Sequence, residues 1–249
     1  MVFAHGFGCD QNVWRYLTKA FEDSYTMILF DFVGSGQSDL DAYDSQRYSS
    51  LDGYALDIIE ILDAIKLQNV IFIGHSVAGM IGLKASIARP ELFESLVFVA
   101  PSPFYMIEGD YNGGMEREDL EALFEVMDSN YLGWSSSMAP LIMGNPERPE
   151  LGEELTANFC ATDPDIARQF ARVTFLSDNR GDLKALKTPS LTLQCSSDML
   201  APLEVGHYIH DNSVNNTLAV LEASGHCPHM SHPDETINII RSYLQNEES

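Results

Sequence analysis

Short apolar runs rich in Val, Ile, Leu and Phe alternate along the chain with longer stretches whose apolar positions recur at helical spacing. That alternation predicts a mostly parallel sheet covered by helices on both faces. Six strands are legible: Met1 to Ala4, Met27 to Phe32, Val70 to Gly74, Leu96 to Ala100, Leu191 to Cys195 and Leu218 to Leu221. Between the first four lie helical patterns at Gln11 to Phe21, Leu51 to Ile65 and Val77 to Ala88. Pro90 stops the third of these, and Ser49 with Asp52 predicts a capped start for the second.

The spacing breaks after Ala100, where roughly ninety residues pass before the next strand, too many for a bare loop. Helical periods such as Asp119 to Met127 and Asp165 to Phe175 fill the gap, and Pro101-Ser102-Pro103, Gly113-Gly114 and Asn145-Pro146 punctuate it. Residues 101–187 therefore read as an inserted helical lid, and residues 1–100 with 188–249 as the core that carries it. The lid's aromatic and Met residues are Phe124, Met127, Tyr131, Trp134, Met138, Met143, Phe170 and Phe175. About a third of them are expected to line an apolar cavity below, the others to be ordinary core.

Composition narrows the partners. The chain has 249 residues, 45% of them hydrophobic, which suits one domain with a full-size core. Thirty-seven acidic against fourteen basic residues give a formal charge of −23, which repels phosphate backbones and anionic headgroups. Nucleic acid and membrane are not expected partners, and the charge reads first as solubility. No run approaches the ~18 apolar residues of a membrane helix, and the N-terminus lacks the pattern of a signal peptide, so a cytoplasmic protein is expected. Cys9, Cys160, Cys195 and Cys227 are widely spaced without a C-x-x-C, which suits reduced thiols.

The strongest chemical signal is Val70-Ile71-Phe72-Ile73-Gly74-His75-Ser76-Val77-Ala78-Gly79, a buried strand running straight into a helix. A serine between small residues in that context is a nucleophile elbow: the tight turn lifts its hydroxyl above the sheet edge and forces the flanking backbones together. The motif is G-x-S-x-A, with Ala78 where glycine is commoner. The bland alternative is a serine that only caps the helix. A hydroxyl needs a base to accept its proton, and the α/β-hydrolase fold supplies its partners in the order serine, acid, histidine. Asp198, in Cys195-Ser196-Ser197-Asp198-Met199-Leu200, follows one strand and His226, in Ser224-Gly225-His226, follows the next. Ser76, Asp198 and His226 are the expected triad, with His229 the fallback base. Backbone N–H groups of Val77 and of Phe7, in His5-Gly6-Phe7-Gly8, are the expected oxyanion hole.

Two other patterns in the chain compete with this one. The run His226-Cys227-Pro228-His229-Met230-Ser231-His232 contains zinc-type ligands, but Pro228 and Pro233 break regular ligand spacing and no second cluster accompanies it. The cluster Asp31-Phe32-Val33-Gly34-Ser35-Gly36-Gln37-Ser38 lacks the third small residue of a dinucleotide loop and reads as a tight turn beside the centre. His5 and His75 flank the centre and are expected to pack around it.

Nearly the whole chain resembles the RsbQ-like α/β hydrolases, bacterial regulators of a stress sigma factor, and more distantly the plant strigolactone and karrikin receptors. The resemblance is carried by Phe7-Gly8-Cys9-Asp10-Gln11, Trp14, Phe30-Asp31, Gly34-Ser35-Gly36, Arg47-Tyr48, Leu51-Asp52-Gly53-Tyr54-Ala55, Gly74-His75-Ser76-Val77, Arg89-Pro90-Glu91-Leu92-Phe93 and Gly225-His226. Phe159-Cys160-Ala161-Thr162-Asp163-Pro164, Ala167-Arg168-Gln169-Phe170-Ala171 and the run from His226 to Glu235 point to the bacterial branch. The resemblance implies a four-helix lid over a small hydrophobic pocket, a triad at Ser76, Asp198 and His226, no metal or organic cofactor, and a PAS-domain phosphatase as partner. That family also carries two strands before the segment aligning with Met1, so Met27 to Phe32 is expected to be a bare edge. The leading expectation is a serine hydrolase forming an acyl-enzyme on Ser76 with a small hydrophobic ester or lactone. A ligand-binding signalling receptor with slow or single-turnover hydrolysis, and a plain metabolic carboxylesterase, are the alternatives.

Overall fold

The computed structural model describes residues 1–247. Its six strands are β1 (Val2–Ala4), β2 (Ile28–Leu29), β3 (Val70–His75), β4 (Phe93–Val99), β5 (Ser190–Ser197) and β6 (Asn216–Ser224). They form one sheet in the order β2-β1-β3-β4-β5-β6, and every pairing is parallel. The α-helices are α1 (Arg15–Phe21), α2 (Leu51–Ile65), α3 (Val77–Ala88), α4 (Arg117–Ser129), α5 (Tyr131–Met143), α6 (Pro149–Ala161), α7 (Pro164–Leu176), α8 (Leu203–Asn212), α9 (Pro228–Ser231) and α10 (Pro233–Glu247). This is the α/β-hydrolase fold, and α4 to α7 all fall between β4 and β5.

The continuous apolar runs are the central strands. All six residues of β3 are buried, and in β4 only Glu94 is exposed, because helices cover both faces there. The edges behave differently. β6 alternates buried with exposed positions and runs to Asn216 and Ser224, so its polar ends hid it outside the expected span Leu218 to Leu221. β2 is shorter than the expected Met27 to Phe32: only Ile28 and Leu29 pair, opposite Val2 and Phe3 of the three-residue β1. From Phe30 the chain turns toward the centre, and the Phe32 N–H donates to His5 Nε2 at 3.1 Å instead of to a strand.

Two helix starts also differ from the sequence reading. Gln11 to Phe21 is not one helix. Asp10 accepts from the Asn12 N–H and sets up a 3₁₀ turn at Gln11–Trp14 before α1 begins. The cap of α2 is Ser50, whose hydroxyl accepts from the Asp52 N–H; Ser49 instead donates to the Gln46 carbonyl.

Candidate active site

Ser76 sits between the last residue of β3 and the first of α3, at φ 56° and ψ −124°. A non-glycine residue reaches that region only where the surrounding structure imposes it. Here its N–H is fixed by the Val99 carbonyl at the end of β4, 2.8 Å away, while its own carbonyl accepts from the Gly79 N–H. The Asp31 turn beside the centre is equally fixed, with the carboxylate accepting from the Gln11 N–H, the Gln11 side chain and the Gln37 N–H.

Three loops at the carboxyl ends of β3, β5 and β6 converge on this point. His226 Nε2 lies 2.8 Å from Ser76 Oγ, and His226 Nδ1 lies 2.7 Å from Asp198 Oδ2. The other Asp198 oxygen accepts from the N–H groups of Leu200 and Ala201, which orients a fully buried carboxylate. His226 is held through its main chain as well. Its N–H donates to the Ile142 carbonyl near the end of α5, and Gly225 before it has φ 83° with its N–H on the Ser197 carbonyl. A Cβ on Gly225 would overlap the Met143 carbonyl, so glycine is required there by both conformation and space.

The other histidines are placed around this triad. His75 donates from Nε2 to the His226 carbonyl at 2.8 Å, clamping the loop that carries the base. His5 accepts the Phe32 N–H on Nε2 and therefore donates from Nδ1 to the Gly6 carbonyl. His229 does not meet Ser76: it is buried with its ring 4.5 Å from that of Trp14 and 4.4 Å from that of His75, and neither of its ring nitrogens has a partner. Among the described residues, no group of three or more His, Cys, Asp or Glu side chains is arranged to hold a metal ion.

Burial holds these flanking rings neutral. It pushes His75 well below the ordinary value, and the neighbouring His229 and His226 add to the fall. Burial, then the nearby His226 and Arg15, takes His229 down to about 3. A group whose folded value is lowered stabilises fully above its unfolded value of about 6.5 and progressively less below it. Between pH 7 and pH 5 the unfolded chain takes up a proton at His229 that the folded chain refuses, a loss of about 2 kcal/mol, and His75 adds to it. The urea midpoint is therefore expected to fall clearly from pH 7 to pH 5. A midpoint that stays level across that range would contradict the neutral buried cluster.

The triad faces a small, partly enclosed apolar cavity of about 20 Å³, lined by Phe7, Trp134, Ile142, Leu155, Phe159 and Phe175 among others. Of the eight aromatic and Met residues singled out in the 101–187 segment, about a third of which were expected here, Trp134 and Phe175 line the cavity, and the others pack in or against the core. Cys9 and Cys227 also reach the wall, but burial pushes the Cys9 thiol up to about 12 and the Cys227 thiol well above its ordinary value, so neither competes with Ser76 as a nucleophile. Phe7 lines the cavity and Val77 opens α3 immediately after the serine, the positions from which the expected oxyanion donors come.

One contact was not visible in the sequence. The Tyr105 hydroxyl lies 3.2 Å from Ser76 Oγ, and burial raises its ordinary value, so it stays protonated. With the serine proton directed at His226, Tyr105 donates to Oγ and fixes its rotamer. Its place just beyond β4, the strand next to the elbow, was the available signal.

Residues 1–239 match the alpha/beta hydrolase family. The chain is similar to Karrikin insensitive 2 receptor CA of Petunia hybrida, 40% identical over 248 residues that cover 99% of this chain and 92% of that protein. It is 37% identical over 235 residues to a strigolactone esterase of Pisum sativum, covering 94% of this chain and 88% of that one. The solved structure of a hydrolase from Oleispira antarctica superposes with a TM-score of 0.96 at 46% identity, covering 98% of this chain and 90% of the other. Among the described residues no helix is long and apolar enough to cross a membrane.

Proposed function

The chain belongs to the alpha/beta hydrolase family, and from that premise we propose that it is a cytoplasmic serine hydrolase cleaving a small, uncharged, hydrophobic ester or lactone through an acyl-enzyme on Ser76. The observation that carries this reading is the unbroken hydrogen-bond chain from Asp198 through His226 to Ser76, ending in an apolar cavity. In it His226 Nε2 takes the Ser76 proton as Oγ attacks the carbonyl, while Asp198 keeps Nδ1 protonated and stabilises the imidazolium. The N–H groups of Phe7 and Val77 receive the developing oxyanion. His226 then returns the proton to the leaving alkoxide, and a water activated by the same ring releases the acid.

The inserted helices act as the lid, in the boundaries 101–187, and they set the size of the acyl group. A cavity this tight admits added methylenes only by displacing aromatic side chains, which costs about 1–3 kcal/mol. On a p-nitrophenyl series from acetate to palmitate, kcat/KM is expected to fall by about tenfold or more beyond the short acyl chains. Activity on emulsified triglyceride is expected to be absent. Rising activity toward the long chains would mean an open cleft and would refute the lid.

A second reading has its own support in the relatives' names: one is a receptor and another a strigolactone esterase. On that reading the triad turns over slowly or once, and rapid mixing would show a stoichiometric burst of p-nitrophenol followed by little turnover. The finer placement, in stress signalling beside a PAS-domain phosphatase, rests on the sequence resemblance to RsbQ-like proteins alone.

A further inference from the structure

Three residues lining the cavity, His75, Trp134 and Thr174, carry a buried polar atom without a hydrogen-bond partner, and of the three Thr174 is the hydroxyl. It lies on the buried face of α7 with Ala167, Phe170, Ala171 and Phe175, is 1% exposed, and lines the cavity. Its Oγ1 has no hydrogen-bond partner. A hydroxyl inside a helix ordinarily back-bonds to a carbonyl one turn earlier. The other helical hydroxyls of this chain show the habit: Thr18 on Trp14, Ser135 on Tyr131, Ser136 on Leu132, Ser137 on Gly133, Thr156 on Gly152 and Thr236 on His232. Thr174 accordingly presents a free donor and acceptor inside an apolar wall, where an unsatisfied polar group weakens the fold. An unpaired buried group in a native structure calls for a partner, and in the wall of a cavity beside the reacting serine a ligand atom can supply it.

We propose that the ligand carries a second oxygen, separate from its reacting carbonyl, that the Thr174 hydroxyl engages, which makes Thr174 a specificity-determining residue. This deepens the ester-hydrolase reading and rests on it. The substrate class becomes an oxygenated small ester or lactone, one with an added ether, carbonyl or hydroxyl oxygen, in preference to a plain alkyl ester. A site built around a hydrogen bond discriminates against the analogue that lacks the matching atom, because its own polar group is then left unpaired.

The test uses matched pairs of p-nitrophenyl esters, methoxyacetate against butyrate and 3-methoxypropionate against valerate, in which an ether oxygen replaces one methylene. For each pair the ratio of kcat/KM values cancels much of what is common to the two esters, and comparing ratios between variants removes their intrinsic reactivity. Thr174→Val is expected to lower the ether-to-methylene ratio by about tenfold in at least one pair, and Thr174→Ser to restore it. Thr174→Val is also expected to raise the Tm of the ligand-free protein by about 2–4 °C, since it removes the unpaired hydroxyl. Ratios unchanged in both pairs would overturn the inference while leaving the hydrolase reading intact. A lowered Tm would overturn it too, by showing that the hydroxyl has a structural partner. Wild-type turnover of all four esters no faster than that of Ser76→Ala would instead overturn the hydrolase reading, and this inference with it.

Discussion

Ser76→Ala is expected to lower kcat for p-nitrophenyl acetate by about a millionfold, to near the rate left by binding and the oxyanion hole. The serine, histidine and aspartate act as one unit along the chain Oγ to Nε2 and Nδ1 to Oδ2. His226→Ala is therefore expected to cost a similar amount, and the double variant little more. The fold should be unaffected. Alanine occupies the positive φ of position 76 no worse than serine, and the N–H bond to the Val99 carbonyl is kept. A purified, folded Ser76→Ala protein with wild-type turnover would remove the basis of the assignment.

Gly74→Val is expected to damage the fold severely at the nucleophile elbow. A Cβ at position 74 would lie 2.7 Å from the carbonyl carbon and oxygen of Ala78 and 2.8 Å from the Gly79 nitrogen. These are main-chain atoms at the start of α3 and cannot rotate aside. The strand and helix would have to part, with a cost of about 3 kcal/mol or more. Any protein that still folds should lose at least about a hundredfold in kcat/KM, because the elbow no longer presents Oγ to His226. Gly181→Ala is the control, since a Cβ there meets nothing within 4 Å. Soluble yield, urea midpoint and ester hydrolysis decide the matter, and a Gly74→Val protein equal to wild type in all three would refute the close-approach argument.

The elbow was legible in the sequence for the same reason that Gly74→Val is damaging: a sharp turn between strand and helix demands small residues at fixed local spacing. Asp198 and His226 were legible because each follows its own apolar run, so strand order alone brings them to one sheet edge. What local pattern could not show depends on contacts between distant segments. The grip of His75 on the His226 carbonyl joins residues 151 apart in sequence, and Tyr105 meets Ser76 only because β4 lies beside β3. Thr174 carries no motif, and its interest lies in a bond that it does not make. The 3₁₀ turn at Gln11–Trp14 and the early end of β2 escaped because apolar spacing continues through both, while Asp10 and His5 redirect the backbone.

The ring of Phe7 stands among Trp134 of α5, Phe159 of α6, and Phe170 and Phe175 of α7, with centroids 5.5 to 6.4 Å away. Its main chain is one of the two proposed oxyanion donors, and the His226 N–H is bonded to the end of α5. A displacement of α5 would therefore reach the proposed oxyanion donor and the base together, since that helix carries both the Trp134 ring beside Phe7 and the Ile142 carbonyl that holds His226. One helix is thus a common anchor for both halves of the chemistry.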